Sequence, residues 1–369
     1  MGYIDSMKNI QIKKRRQILY PDDFKTLKKV LIIGNYGPGN FGDEVMLDVI
    51  LDLLSKECKV YIPTRSPETL KELHPDSRII PLYSKNIWYI LKEAIKCDAI
   101  IFGGGTIFTK GRGIGIDLAL ILSLLLKLFT KKKIYFYGIG YSETTPLGLR
   151  ILAKLLMQNG NVFVRDKKSK DLILKNVGIN PYLIKDLTFY WKPPKANLPP
   201  EIKKIIIKNN NAIIVGLSIT KDLFEFKREK EFVKFLNYIA SKYNMLIFAF
   251  IFNPEFMGRT IGSSSDLYLY KKIKKKLYKN IKFYILPYYP PHVLFEVVKH
   301  VDIIIGMRYH SLILAHLHSK HIIGIAVFDK QETFLVEHNY PYIRLNKLTS
   351  GDLIRIFEKV LSTIKSDQK

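Results

Sequence analysis

Four short stretches carry glycines or charged side chains able to bind an anion or move a proton: "GNYGPGNFGDEVML" at 34–47, "FGGGTIF" at 102–108, "VFVRDKKS" at 162–169 and "GMRYHS" at 306–311. In the last, His310 follows the apolar "DIIIGMRY" and precedes the helical "SLILAHL". An imidazole at such a strand end can give a proton or hold a phosphate, its pKa tuned by the helix N-terminus and by Arg308. Ser311 adds a hydroxyl beside it. Arg165 leaves the apolar "VFV" just before Asp166, and reads either as an anion-binding cation or as an ion pair at a helix start. Gly103, Gly104 and Gly105 let the backbone bend around a ligand that Thr106 can bond, although a tight strand-to-loop turn accounts for three glycines as well. Lys330, in "VFDK", returns to the strand ends or is a solvated loop lysine. His316 and His318 lie about 240° and 80° round a helix from His310, so these histidines do not form a metal cluster.

The first stretch reads as buried strand, bare loop and helix start, with Gly37, Asn40 and Gly42 in the loop and Asp43 and Glu44 opening the helix. In that geometry missing side chains admit a ligand, and backbone N–H groups face an anion. Two nucleotide fingerprints fail. Gly37, Gly39 and Gly42 have G-x-G-x-x-G spacing, but no acidic residue closes the next strand "KVYIPTR", and no Gly-Lys-Ser/Thr follows the loop. The plainer alternative is a structural turn in which Asn40 and Asp43 cap the helix.

All four stretches fall at the carboxyl ends of apolar strands in an alternating β–α pattern, which predicts mostly parallel, doubly wound sheets with ligands at those ends. The first set runs from "VLIIGN" to "VFVRD", with helices near 44–56, 67–73, 86–96, 118–126 and 146–158. "WKPPKANLPP" (191–200) reads as a linker. A second set follows, from "AIIVGLSI" to "HIIGIAVF", with helices near 228–243, 265–279, 291–300 and 310–318. The expected organisation is a basic extension at 1–29, α/β domains at 30–195 and 196–345 with a cleft between them, and a closing helix within 346–369 that has the first domain as one available packing surface.

The 59 basic and 33 acidic residues leave a formal charge of +26, which admits a polyanion, an anionic membrane surface or a small anionic substrate as partner. No helix-turn-helix, RNP-type or metal-finger pattern supports nucleic acid. Cys58 and Cys97 lie in no C-x-x-C or His/Cys cluster, so no zinc site is readable and a reducing, cytoplasmic compartment is expected. The first twenty residues lack an apolar h-region, which argues against a secretory signal. "LALILSLLL" (118–126) is far short of the ~20 residues that span a bilayer, and reads as a buried helix or, beside the basic "KLFTKKK", an interfacial one.

Taken in order, "GNYGPGNFGDE", "FGGGT", "VRDKKS" and "DIIIGMRYHSLILAHLHSKHIIGIAVFDK" make the chain resemble the polysaccharide pyruvyl transferase family from about residue 30 to 335. The resemblance implies two Rossmann-like domains in a GT-B-like arrangement. It also implies transfer of pyruvate from phosphoenolpyruvate to two hydroxyls of one sugar as a cyclic ketal, with no cofactor beyond that co-substrate. The acceptor would be a glycan or lipid-linked sugar, met in the cytoplasm or at the inner face of the membrane. Carried over by position, Arg165, His310 and Lys330 belong to the phosphoenolpyruvate site and Asp43 lies near the acceptor. Two cations and a proton donor suit a small molecule with a carboxylate and a phosphate, and Asp43 or Glu44 suits a base for the acceptor hydroxyl. The chain departs from the family pattern at "GLSITKDLF", where an Arg-Pro-type element is expected. A glycosyltransferase using a nucleotide sugar is the alternative reading, since the same architecture and glycine loops can hold a diphosphate.

Overall fold

The computed structural model describes residues 19–111, 114–130, 132–158, 161–256 and 265–367. They fall into two compact units, one ending at Lys192 and including Phe256, the other taking Pro193–Glu255 and the residues from Ser265 on. Most of the basic extension, residues 1–18, lies outside the described residues. Its remainder is part of the first unit: Phe24 is buried against the rings of Tyr135 and Tyr137, at 5.2 and 5.5 Å.

The first unit is built on strands β1 (Lys29–Ile33), β2 (Lys59–Thr64), β3 (Ile79–Tyr83), β4 (Ala99–Gly103), β5 (Thr106–Phe108), β6 (Lys133–Tyr141), β7 (Val162–Val164) and β8 (Tyr182–Leu183). Their order is β3-β2-β1-β4-β6-β7-β8, every pairing is parallel, and β5 pairs with β6 off this path. Runs such as "AIIFG" are buried along their whole length, as parallel strands covered on both faces must be. Helices α1 (Phe41–Leu53), α2 (Pro67–Leu73), α3 (Ile87–Lys96), α4 (Ile114–Thr130), α5 (Leu147–Met157) and α6 (Lys167–Val177) make the connections. The inner faces of α3 to α6 share one apolar cluster that includes Ala94, Leu120, Ala153, Leu156 and Ile173.

The second unit opens with α7 (Pro200–Lys208) and contains β9 (Ile213–Ser218), α8 (Asp222–Glu225), α9 (Glu229–Lys242), β10 (Met245–Ala249), α10 (Asp266–Lys274), β11 (Phe283–Ile285), α11 (Pro291–Val298), β12 (Ile303–Gly306), α12 (Tyr309–Leu317), β13 (His321–Ala326), α13 (Asp329–Glu337), β14 (Tyr342–Arg344) and α14 (Ser350–Asp367). Its strands run β11-β10-β9-β12-β13-β14, again all parallel. In each sheet the chain builds outward on one side of its first strand and then returns to the other side. The crevice where strand order reverses therefore lies between β1 and β4 in one unit and between β9 and β12 in the other. The loops after β1 and β4 carry the first two glycine stretches, and the turn after β12 carries Arg308, with His310 in the first turn of α12.

Some boundaries differ from the sequence reading for local reasons. The first helix starts at Phe41 because Asn40 caps it by accepting from the Gly42 N–H. The short β5, β8 and β14 and the polar helices α6 and α13 have too little apolar pattern of their own to announce themselves. The closing helix packs within the second unit. Leu353, Phe357, Leu361 and Ile364 join the apolar cluster beneath α9, and the Phe357 ring lies 6.0 Å from that of Phe235. Phe357→Ala should remove about 3 kcal/mol from the unfolding of the second unit, measured by urea titration with a probe in that unit. A loss under ~1 kcal/mol would mean that α14 is not part of this core.

Candidate functional site

In the first unit the loop after β1 is organised by a buried anion of its own. Glu44 is fully buried, and its Oε1 accepts from the N–H groups of Gly37 at 2.8 Å and Gly39 at 2.9 Å. Both glycines have positive φ, +94° and +83°, which turns their N–H groups inward. Gly42 donates to Asn40 at 3.2 Å, so three of the loop's donors are already used. Glu44 Oε2 faces His74 Nε2 at 2.9 Å, and His74 Nδ1 faces Asp48 Oδ1 at 2.7 Å. Asp48 in turn accepts from Trp191 Nε1 at 3.0 Å. Glu44, expected as a base, thus has Oε1 on the Gly37 and Gly39 N–H groups and Oε2 on His74, and those two N–H groups, expected to face a ligand anion, hold this carboxylate. Asp43 is different. It stands half-exposed in the first turn of α1, with Asn35 Nδ2 donating to it at 3.0 Å.

Tyr36 ties this loop to the triple glycine, since its hydroxyl donates to the Gly103 carbonyl at 2.6 Å. Burial, reinforced by Asp43 and Glu44, pushes its pKa well above the ordinary phenol value and keeps it a donor. A Cβ on Gly103 would lie 2.4 Å from Ile50 and 2.5 Å from the Tyr36 hydroxyl, so glycine there serves close packing. Gly104 likewise sits against Met46. Gly105 is the exception, with φ +67° and nothing within 4 Å of a would-be Cβ.

Thr106, one residue on, accepts from Arg165 Nη2 at 2.9 Å, so two sequence candidates meet at the carboxyl ends of β4 and β7. Arg165 is buried, with Asp186 at 3.4 Å and Asp166 at 3.7 Å from its guanidinium. Asp166 also caps α6 by accepting from the Ser169 N–H, so the ion-pair and helix-start readings of "VRDKKS" both hold. Asp186 is further engaged by Thr188, and Gly140 on β6 leaves the space the guanidinium fills.

In the second unit Arg308 and His310 follow β12, and Lys330 lies in the first turn of α13 after the neighbouring β13. Lys330 Nζ stands 5.5 Å from the centre of the Tyr309 ring, which lies 5.5 Å from that of His310, so the three form one cluster at adjacent strand ends. Arg308 makes a forked pair with the fully buried Asp266, whose Oδ2 also accepts from the N–H groups of Phe252 and Asn253. Ser311 donates to the Arg308 carbonyl at 2.7 Å and packs against Gly306. Arg308 and Ser311 thus brace the turn that precedes His310. Gln331 was missed by sequence reasoning. Its amide joins the Met307 carbonyl to the Val327 and Phe328 N–H groups, locking the loop after β13 to the loop after β12.

His74 was missed as well, and it makes the first loop pH-sensitive. Burial opposes its charge, but the hydrogen bonds and charges of Asp48 and Glu44 outweigh that and raise its pKa from 6.5 to about 9. A pKa raised on folding stabilises fully below the unfolded value and loses that contribution as pH rises through the folded one. The His74 contribution to the stability of the first unit should thus be constant below about pH 6.5 and be lost, by up to ~3 kcal/mol, as pH rises from there through about 9. His74→Gln should be less stable at pH 7 and lose that part of the dependence in denaturant titrations across pH; an unchanged slope would refute the ion-pair assignment.

The sequence was compared with known families and the fold with solved structures. The family model for polysaccharide pyruvyl transferase matches residues 40–329, a span containing Asp43, Arg165 and His310. No curated protein matches the sequence. The fold is similar to that of a glycosyltransferase from Rickettsia africae, at 16% identity, TM-score 0.59, over 91% of this chain and 89% of that one. It is also similar to Anabaena HepE in complex with UDP, at 14% identity, TM-score 0.59, over 92% and 91%. A third likeness is to S. aureus MnaA with UDP, at 10% identity, TM-score 0.61, over 90% and 88%. At these identities the likeness concerns the fold alone, a two-domain Rossmann-like α/β fold. With the family model matched over most of its length, the chain belongs to the polysaccharide pyruvyl transferase family.

Proposed function

We propose that the protein transfers the pyruvyl group of phosphoenolpyruvate to two hydroxyls of one sugar of a glycan or lipid-linked acceptor, forming a cyclic ketal and releasing phosphate. The observation that carries the reading is the family match across 40–329. Protonation of the enol methylene makes the carbon bearing phosphate electrophilic. One sugar hydroxyl adds there, the C–O bond to phosphate breaks, and the second hydroxyl closes the ring. Of the two hydroxyl protons, one balances the new methyl group and the other leaves with phosphate. In this scheme His310 is the acid or the phosphate's partner, Arg165 and Lys330 bind the anionic groups, and Asp43 takes a proton from the acceptor. The engagement of the Gly37 and Gly39 N–H groups by Glu44 favours side-chain cations over a backbone phosphate cradle at this loop. A reducing interior is the proposed compartment, supported by Cys58 and Cys97 being buried free thiols.

Purified protein supplied with phosphoenolpyruvate and candidate glycans should release phosphate and add a ketal-linked pyruvate. Turnover with a nucleotide sugar and none with phosphoenolpyruvate would overturn the assignment. His310→Ala and Arg165→Ala should each lower kcat/KM by at least about a hundredfold, with folding checked by thermal melts. Asp43→Asn should lower kcat while leaving the KM for phosphoenolpyruvate within about twofold. Unchanged transfer in all three variants would refute the site.

A further inference from the structure

Among the described residues, nothing covers the outer face of the layer formed by α3, α4 and α5. Along α4, Ile114, Leu118, Ile121, Leu125 and Leu128 recur at alternating steps of four and three residues, the spacing of one helix face, and point away from the shared core. Ile114 is 84% exposed, Leu128 67% and the adjoining Phe129 83%. Neighbouring α3 adds Trp88, 83% exposed, and Ile95, and α5 adds Leu147, Ile151 and Leu155. The inner sides of the same helices carry small or buried residues such as Ala94, Leu120 and Ala153, so each helix is apolar on two opposite sides. A solvent-facing helix has no reason to be so.

The charges around this face are mostly of one sign. Within the three helices stand Lys92, Lys96, Lys127, Arg150 and Lys154 against Glu93 and Asp117, and Glu93 is buried and paired with Lys96 at 2.8 Å. Lys127 is anchored to the carbonyls that end α5, at 2.8 to 3.0 Å, and Lys132 to those that end α3. Two copies meeting through this face would bring like charges together, whereas an anionic bilayer would be attracted by them. The helix α4, about 25 Å long by its 17 residues, can lie in an interface. Among the described residues no helix is long and apolar enough to cross a membrane.

We propose that the outer face of α3, α4 and α5 docks on the surface of an anionic lipid bilayer, its apolar residues in the headgroup boundary and the exposed Lys92 and Lys154 against the headgroups. This assignment rests on exposure and charge, and stands whichever donor the enzyme uses. The full-length protein should co-sediment with phosphatidylcholine vesicles containing phosphatidylglycerol, much less with phosphatidylcholine alone, and release as salt rises. Trp88 supplies a reporter on the face itself. The chain's other tryptophan, Trp191, is 9% exposed. On anionic vesicles the emission should shift to the blue and be quenched by brominated lipid, and Trp88→Phe should remove that response. A triple variant, Ile121→Asn, Leu125→Asn and Leu128→Asn, alters only outward side chains, keeps every lysine, and should bind at least about tenfold more weakly. Wild type that ignores anionic vesicles, or a folded triple variant that binds as wild type does, would overturn the proposal. So would a dimer in sedimentation velocity that the same three substitutions dissolve, since the face would then join two copies.

Discussion

A carboxylate taken fully out of water must find donors nearby, and Glu44 finds them in the backbone of the loop immediately before it. The loop after β1 owes its shape to that requirement. Its glycines adopt positive φ so that two N–H groups converge on one oxygen, and the other oxygen is reserved for a histidine that the next βα unit supplies. From there the constraint spreads. His74 recruits Asp48, Asp48 recruits Trp191, and Tyr36, held in the same loop, pins the first of the three glycines after β4. The two strands that flank the reversal of sheet order are thereby fixed by one buried charge and the groups that answer it.

The second unit meets the corresponding demand with an ion pair. Asp266 is buried as completely as Glu44, and it is answered by Arg308 from the turn after β12 together with two backbone N–H groups. Gln331 adds a neutral brace between adjacent loops. In both units a buried charge holds backbone in place, Glu44 in one and Asp266 with Arg308 in the other, while Asp43 lies one residue before Glu44 and His310 two residues after Arg308. Under the proposed function, neighbouring residues in a motif divide the work between shaping a turn and presenting a reactive group.

Much of this was legible in the sequence because it is local. Buried parallel strands show as unbroken apolar runs, and the loops that follow them show as glycine clusters, so two doubly wound sheets and the positions of Asp43, Arg165, Thr106, His310 and Lys330 at strand ends could be read directly. The partners could not. His74 lies 30 residues from Glu44, Asp266 lies 42 from Arg308, and Gln331 lies 24 from Met307. No spacing rule links them, and only the folded sheet brings them together. The role of Glu44 was misread for a related reason. A glycine loop with free N–H groups and one whose N–H groups are satisfied by a carboxylate seven residues on have the same local sequence.

The closing helix α14 gives the chain a temporal asymmetry. During synthesis the first unit's strands and helices have all been made by Lys192, so its β-sheet can assemble while most of the second unit is still to come. The second unit has no such head start. Its core includes Leu353, Phe357, Leu361 and Ile364, so the apolar surface of α9 stays unsealed until α14 has been made. A nascent chain stalled anywhere between α9 and α14 would display that surface.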